Sequence, residues 1–538
     1  MQLITLSGLV DELARWTREV RTFTYALLAT WCLAFIVLWS RMLFHDDLGL
    51  QAKSINIWGD WIVHITYVNV FSDWSISQWL DRSPLLISDN FRYPPAPNYF
   101  SSLFVRVGLG TYPAMQLTSG LLCVGLVIAL YRFFRDCGFE RLWAVAGLTL
   151  FLLNGGAGFI DVIFDGAKSA THLPEAGIVV QNFIVSEFIP QRAIQFAAPF
   201  FVCALIVLMR STRDGPLLPQ RLKWTALMTL LSVLVQLSSM HTFLCLAVVC
   251  AIFAAFNWRH WRLWLSMGAM AGIVTSSIYV LYYGANDLTH FLKWAPLELV
   301  KFSKLSVVDH FYRNYGIVLV LAIYSIYRFD LWKQPFSLAA LVLLALSYSI
   351  QFQPWIWDNT KILTWFYLLI IPSVLILLRH WWGTHLRKRL AAVVVLFLAT
   401  AAGAHDVALL LRPDAPRFQM LTAEDHALAA SFKAMTDPED RVFTHIGHAN
   451  WVHTLAARQV VKAFGGWLWT YGLDTSAMDA KIERVLTGDF QPLRRHDVEY
   501  LVIDRQHEAS RVRFPANHPE LEPILASPRY DVYRLRAI

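Results

Sequence analysis

Apolar runs approaching the length of a membrane span, divided by short polar or basic stretches, recur along most of this chain and limit what it can become. A helix needs about 20 apolar residues to cross a bilayer, and about eleven runs approach that length once their flanks are counted. They are Thr24 to Phe44, Tyr112 to Phe134, Leu142 to Leu153, Ile194 to Met209, Trp224 to Met240, Phe243 to Phe256, Leu263 to Tyr283, Tyr315 to Tyr327, Phe336 to Ile350, Leu363 to Leu378 and Leu390 to Leu411. The stretch from Leu222 to Trp258 is too long for one span at about 1.5 Å per residue. Gln236, Ser238, Ser239, His241 and Thr242 interrupt it, which predicts two spans meeting at a polar apex. Charged residues make up 16% of the chain, against roughly 25% in a soluble domain. A disordered, fibrous or simple cytosolic protein is thereby excluded, and a polytopic α-helical membrane protein is expected.

The formal charge of +7 fits the same reading. Lys and Arg collect on the cytoplasmic side of a membrane protein. Arg15, Arg18 and Arg21 precede the first run. Basic loops then follow every even-numbered run, at Arg132 and Arg135, at Arg210 and Arg213, at Arg259 and Arg262, at Arg328 and Lys333, and at Arg387, Lys388 and Arg389. The expected topology has a cytoplasmic N-terminus, an odd number of spans and an extracytoplasmic C-terminus, in a plasma or inner membrane. The positive charge is thus an orientation signal, and no nucleic acid partner is expected. The charged segment holding Glu12, Arg15 and Arg18 precedes a run with no small-residue cleavage pattern, so the first run is expected to be retained. The six cysteines lie in or beside apolar runs without CxxC spacing, which predicts neither a disulfide framework nor a structural zinc site.

Two units follow. Residues 1–411 form the transmembrane module, with a long first outer loop (45–111) and a second one (154–190). Residues 412–538 are rich in charge and form a separate soluble domain. Its apolar patterning alternates helices, such as Glu424 to Met435 and Ser476 to Leu486, with strands, such as Arg441 to His445, Gln459 to Ala463, Tyr500 to Asp504 and Tyr530 to Leu535, and so predicts a small α/β sheet. Neither a Walker loop nor a dinucleotide GxGxxG occurs in it.

The first outer loop is far longer than packed elements need, and long loops on a rigid scaffold concentrate function. Within Trp58-Gly59-Asp60-Trp61-Ile62-Val63-His64, Asp60 and His64 stand at i and i+4, on one face of a helix. A carboxylate and an imidazole so placed can share a proton or a substrate hydroxyl. A helix N-cap or a solvated loop carboxylate accounts for the same Asp equally simply. Asp46 and Asp47, just beyond the first run, compete for the role.

The Gly59-Asp60 pair with His64, followed by Phe91-Arg92-Tyr93-Pro94-Pro95 before the second run, resembles the first outer loop of the GT-C glycosyltransferases. The similarity continues in order through Asn154-Gly155-Gly156-Ala157-Gly158-Phe159, Pro190-Gln191-Arg192, His241-Thr242-Phe243, Trp357-Asp358-Asn359-Thr360-Lys361, Gly465-Gly466-Trp467-Leu468-Trp469 and Val498-Glu499-Tyr500-Leu501-Val502-Ile503. The group most resembled is bacterial and polyprenyl-phosphate-sugar dependent. What the resemblance implies is a membrane enzyme that transfers a monosaccharide by inverting displacement. The donor would be a polyprenyl-phosphate-linked sugar, and the acceptor an extracytoplasmic glycan, lipid or protein. Asp60 would be the base, with His64 beside it. There is no WWD-type motif of oligosaccharyltransferases, and His45-Asp46-Asp47 is only a loose analogue of the Asp-Glu pair of protein O-mannosyltransferases.

A phosphate leaving group calls for a cation more than an acid. Arg92, Arg192, Arg313 and Lys361 fall at the expected outer interface, where snorkelling at a span end explains each of them as well. Arg92, Tyr93, Arg192, His241, Asp358, Asn359 and Lys361 form the expected donor-binding set. Trp467 and Trp469 join it, on a loop expected to fold back over the mouth of the site and stack on a sugar. The cofactor stays open. A divalent cation, Mg or Mn, is the candidate, because Asp161, Asp165, His172, Glu175 and Glu187 of the second outer loop would face the first-loop Asp, though without a tight ligand motif. A transporter or flippase, or a non-catalytic partner in envelope assembly, remains the alternative function. Membrane lipids surround the chain under any of these readings.

Overall fold

The computed structural model describes residues 6–90, 92–213, 218–284, 292–508 and 511–536, with side chains from residue 19 onward apart from residue 508. Phe91 of the proline-rich motif, and the side chains of Glu12, Arg15 and Arg18, lie outside the described residues. Each of the eleven expected runs falls on a helix. These are α1 (Leu6–Ser40), α4 (Thr111–Asp136), α5 (Arg141–Leu152), α6 (Arg192–Ser211), α7 (Leu218–Gln236), α8 (Met240–Phe256), α9 (Trp261–Ile278), α10 (Val307–Arg328), α11 (Pro335–Ser347), α12 (Thr360–Trp382) and α13 (Leu386–Leu411). The first outer loop adds α2 (Ile55–Asp73) and α3 (Ala96–Arg106).

The expected count of about eleven spans needs correction. Among the described residues, six helical segments are long and apolar enough to cross a membrane: Glu19–Ser40, Thr111–Asp136, Arg192–Ser211, Trp258–Tyr283, Ile356–Trp382 and Leu386–Leu411. Three more helices, α5, α8 and α11, are apolar but have only 10–17 residues. At about 1.5 Å per residue, helices of that size fall short of a hydrocarbon core about 30 Å thick. Helix α10 is broken inside at Gly316 (φ 55°, ψ −139°), so it is two shorter helical pieces joined at a kink. Apolar composition locates a helix, but breaks in the backbone decide how far it runs.

One such break has a steric cause. Gly155 and Gly156 of the Asn154 to Phe159 motif pack against α13 and α10 with no room for a Cβ. A Cβ on Gly156 would lie 1.8 Å from the Arg313 carbonyl oxygen, and one on Gly158 2.0 Å from that of Ala170. Ala157 N–H donates to the same Arg313 oxygen at 2.8 Å. Asn154 accepts from Phe183 N–H through Oδ1 at 2.7 Å, which pins the second outer loop to this turn.

The C-terminal region is the expected α/β unit. Its five-stranded sheet has the order β5-β4-β6-β8-β7, from β4 (Arg441–Thr444), β5 (Gln459–Val460), β6 (Val498–Asp504), β7 (Leu521–Ala526) and β8 (Tyr530–Leu535). Strand β4 runs parallel to β5 and β6, and β8 is antiparallel to both β6 and β7. Strand β7 was not expected, because its Leu-Glu-Pro-Ile-Leu-Ala pattern carries a proline and a single fully buried residue, Leu521.

The domain does not stand apart from the first outer loop. Hairpin β1 (Leu43–Asp46) and β2 (Gly49–Ala52) forms a three-stranded antiparallel sheet with β3 (Phe418–Thr422), which enters the domain. Residues 84–87 run along the β5 edge, with Val460 N–H donating to Pro84 O at 3.2 Å and Ala463 N–H to Leu85 O at 2.7 Å. Helix α2 is therefore covered from outside by the domain and from below by the membrane helices, and most of its residues are buried.

Replacing Gly156 by Ala should lower the thermal stability of the detergent-solubilised protein by about 1–3 kcal/mol, because the new methyl meets fixed backbone. Gly120→Ala in α4, where a Cβ meets nothing within 4 Å, should leave stability unchanged or slightly raised. Equal melting temperatures for the two variants would contradict the packing described.

Candidate functional site

Asp60 lies in the second turn of α2, whose start is capped by Ser54 accepting from Asn56 N–H at 3.2 Å. The N-cap role that the sequence left open for Asp60 therefore belongs to Ser54. The Asp60 side chain forms no hydrogen bond or ion pair with the described residues and keeps partial contact with solvent. Burial pushes its carboxyl up to about 7, with the charge of Lys361 pulling it down and that of Asp358 pushing it further up.

Lys361 and Asp358 come from the turn that leads into α12. Lys361 Nζ lies 2.8 Å from Asp358 Oδ1, with the side chains 18% and 13% exposed. The turn is held rigidly. Asn359 Nδ2 donates to Ser347 O at 2.8 Å and to Ile350 O at 2.6 Å, while its Oδ1 accepts from Phe352 N–H at 3.2 Å. Trp357 Nε1 donates to Val179 O at 2.7 Å. Asn359 is thus committed to the loop itself, and Asp358 and Lys361 are the groups it presents.

Glu187 reaches the same place from the second outer loop. It sits in a one-turn π-helix, Phe183–Phe188, and is 3% exposed. Its Oε1 accepts from Thr360 Oγ1 at 3.0 Å, next to Lys361 in the chain. Burial pushes the Glu187 carboxyl up to about 7, against the pull of Lys361 and the Thr360 hydrogen bond. His241, in the first turn of α8, is within electrostatic reach of Lys361 and Asp358 and keeps partial solvent contact. Its neighbour Thr242 is buried and accepts from Trp365 Nε1 at 3.2 Å. The polar apex of the sequence thus splits into one residue that locks helices and one that faces the charges.

The aromatic wall is built from both units. Tyr93 stacks on Tyr67 with ring centres 5.0 Å apart and meets Tyr471 of the C-terminal domain at 5.7 Å. Asp60 adds to the burial that raises the Tyr93 hydroxyl above its ordinary value, and it acts likewise on Tyr471. Beside Asp60, His448 of the domain bonds to the Gly59 carbonyl through Nε2 at 2.8 Å and stacks on Trp58 at 4.1 Å.

Other expected residues take different places. His64, four positions from Asp60, turns to Asn98 Oδ1 at 3.2 Å and is buried. Burial and the nearby Arg192 charge push it down to about 3, so it is neutral. Arg192 is fully buried and donates to Met115 O, Ser119 Oγ, Pro97 O, Ser101 Oγ and Thr118 Oγ1. Its guanidinium carbon lies 5.4 Å from the Trp61 ring. Arg92 bonds Leu281 O at 2.8 Å and Tyr282 O at 3.0 Å, at the C-terminal end of a span. Arg313 pairs with Asp161 at 2.9 Å. Trp467 is buried against Phe464 and His448, whereas Trp469 is 52% exposed. Asp46 and Asp47 are exposed in the β1–β2 turn, where Asp46 accepts from Leu48 N–H and approaches Arg417.

Tyr471 and His448 were not singled out as site residues from sequence, and Glu187 was named only among the candidate ligands of a divalent cation. Glu187 had a signal: it is the one charged group in Phe183-Ile184-Val185-Ser186-Glu187-Phe188-Ile189, where burial of a carboxyl demands a reason. Among the described residues, no three His, Cys, Asp or Glu side chains stand close enough to hold a metal ion. The cation amid the carboxyls is Lys361, and that donor set does not fit a resident Mg or Mn.

No protein-family profile and no curated protein matches the chain. Solved structures do. Mycobacterial arabinofuranosyltransferase AftD aligns with a TM-score of 0.57 at 14% identity, over 96% of this chain and 42% of AftD. The oligosaccharyltransferase of Archaeoglobus fulgidus, solved with a tethered acceptor peptide, aligns with a TM-score of 0.51 at 12% identity, over 90% of this chain and 69% of that enzyme. This chain spans less than half the length of AftD. The arrangement of apolar helices followed by an α/β domain is therefore a fold that this chain shares with those two structures.

Asp60 carries a folded-state value near 7 against an ordinary 3.8. A raised carboxyl favours the folded state while it is protonated, so its contribution is complete below about pH 4 and is lost as pH rises through about 7. The melting temperature of the wild type, measured relative to Asp60→Asn, should fall across that window and level off above it. A constant difference would contradict the burial of Asp60.

Proposed function

We propose that this chain is a membrane glycosyltransferase that moves a monosaccharide from a polyprenyl-phosphate-linked donor to an extracytoplasmic acceptor. The observation that carries the reading is that Asp60, a carboxyl with no hydrogen bond or ion pair among the described residues, stands within electrostatic reach of the Lys361 ammonium and its partner Asp358, beneath a water-facing domain. The shared fold supports it, since the two aligned structures are glycosyl- and oligosaccharyltransferases by name. In this reading the N-terminus is cytoplasmic, the C-terminal domain extracytoplasmic, and the basic loops lie on the cytoplasmic face.

The chemistry follows from the side chains. The acceptor hydroxyl donates to Asp60, which takes its proton as the oxygen attacks the anomeric carbon. The bond from that carbon to the donor phosphate oxygen breaks, and the electron pair leaves with the polyprenyl phosphate. Lys361 Nζ stabilises the negative charge that develops on the phosphate oxygens. Asp358, which holds Lys361 in the free protein, gives up part of that contact as the lipid binds. A carboxyl with a value near 7 is matched to a general base at neutral pH. One displacement gives inversion at the anomeric carbon. Tyr93, Tyr471 and the exposed Trp469 supply faces for sugar rings, and His241 flanks the phosphate. No step is routed through a metal. Whether the acceptor is a glycan, a lipid or a protein is set by surfaces beyond these residues.

Membranes containing the wild type and supplied with lipid-linked donor should transfer sugar. Asp60→Asn should lower the rate by about 10²–10⁴-fold with little change in donor affinity, and Lys361→Met should weaken donor binding as well as rate. The wild-type rate should rise with pH to a plateau above about 7. Unchanged transfer by Asp60→Asn would remove that residue from the reaction.

A further inference from the structure

The Glu187 carboxyl is half used. Oε1 accepts from Thr360, but Oε2 is buried and has no hydrogen-bond partner among the described residues. A carboxylate oxygen out of water without a donor is among the more costly arrangements in a protein interior, and such groups call for an explanation. Lys361 does not supply it: its ammonium is paired with Asp358 at 2.8 Å and makes no hydrogen bond to Glu187. Ser186 Oγ, the preceding residue's hydroxyl, is likewise buried and unpartnered. Both lie on the π-helical turn Phe183–Phe188. Single wide turns of this kind occur often at functional sites, where they re-aim a side chain. Asn182 fixes the turn by accepting from the N–H groups of Ile184 and Val185 at 2.9 Å and 3.0 Å.

Position adds direction to this unmet capacity. Thr360, which holds Oε1, is bonded in sequence to Lys361, so Glu187 and the lysine stand on neighbouring points of one turn. Charges on Lys361, Asp358 and Asp60 all act on Glu187. A phosphate held by Lys361 therefore places whatever is esterified to it beside Glu187. A sugar is rich in hydroxyls, each able to donate to a carboxylate or accept from a carboxylic acid. A lipid tail offers neither.

We propose that Glu187 is a donor-sugar-binding residue, whose unpaired Oε2 hydrogen-bonds a hydroxyl of the monosaccharide carried on the lipid phosphate. The proposal rests on the glycosyltransferase reading above and adds a residue that selects the sugar. It sets apart two parts of the donor, with Lys361 reading the phosphate and Glu187 the sugar. The simpler alternative is a clamp in which Glu187 only ties the second outer loop to α12. A clamp needs one acceptor oxygen, and an amide serves as well.

Glu187→Gln separates the two, because it keeps shape and the Thr360 acceptor while removing the charge-capable second oxygen. Binding of sugar-free undecaprenyl phosphate and of a panel of undecaprenyl-phosphate pentoses and hexoses is measured on full-length wild type and variant in nanodiscs. The expected result is that wild type prefers one sugar-bearing lipid over the bare phosphate. Glu187→Gln then loses about tenfold or more for that lipid, the worth of one charge-assisted hydrogen bond. Its affinity for bare undecaprenyl phosphate should be unchanged. Equal loss for both lipids, or no loss for either, overturns the sugar-binding role and leaves the glycosyltransferase reading standing. Wild type that binds none of the lipids overturns both.

Discussion

A single buried guanidinium holds the first outer loop onto the membrane helices. Arg192, at the start of α6, reaches α3 through Pro97 and Ser101, α4 through Met115, Thr118 and Ser119, and α2 through the face of Trp61. It has no carboxylate partner among the described residues, so its charge is solvated by carbonyl and hydroxyl dipoles in place of water. Its Nε is buried without a hydrogen-bond partner among the described residues, so each acceptor lost from the other two nitrogens would add to the uncompensated desolvation. Trp61 follows Asp60 directly, which means that the rotation of α2, and hence the direction of the Asp60 carboxyl, is set from below by this node. From above it is set by His448 on Gly59, His453 on Thr66 and Thr454 on Asn69.

Between those two layers the charges do not balance. Three carboxyls, Asp60, Glu187 and Asp358, surround one ammonium, and only Asp358 pairs with it directly. Burial moves the carboxyls of Asp60 and Glu187 up to about 7, so that both the charged and the neutral form of each are within reach near neutral pH. The result is a site whose groups are held in readiness to exchange protons, in contrast to His64, which burial keeps neutral and which serves as a packing and hydrogen-bonding residue. A carboxyl poised in this manner suits a base that must accept a proton and later release it.

Much of this was legible from residue order, and the limits have physical causes. Apolar runs located all eleven helices, because burial in lipid leaves a composition that no loop shares. They could not tell which helices are long enough to span, since that depends on breaks such as Gly316 and the Gly156 turn, where backbone meets backbone. Asp60 was visible as a carboxylate of the long first outer loop, four positions before His64, and Lys361 as a charge at the start of an apolar stretch. The separate fates of Arg192, a structural node, and Lys361, a presented cation, were not, because both are basic residues at the mouth of a predicted span. Only the partners distinguish them: carbonyl and hydroxyl dipoles from two helices and an aromatic face from a third for one, a single carboxylate for the other. The Gly465 to Trp469 motif likewise reads as one aromatic pair, yet the fold buries Trp467 against His448 and leaves Trp469 exposed. The contribution of Tyr471, and the way the domain closes over α2, depend on contacts across several hundred residues that no local pattern encodes.

The central claim is that Lys361 and Asp60 border one lipid-phosphate site. A cryo-EM structure of the full chain in nanodiscs with undecaprenyl phosphate tests it directly. The account predicts phosphate density against Lys361 Nζ, with the Asp60 carboxyl on the side from which an acceptor would approach. Phosphate density at Arg92 or elsewhere on the outer rim, with the Lys361–Asp358 pair untouched, would contradict it.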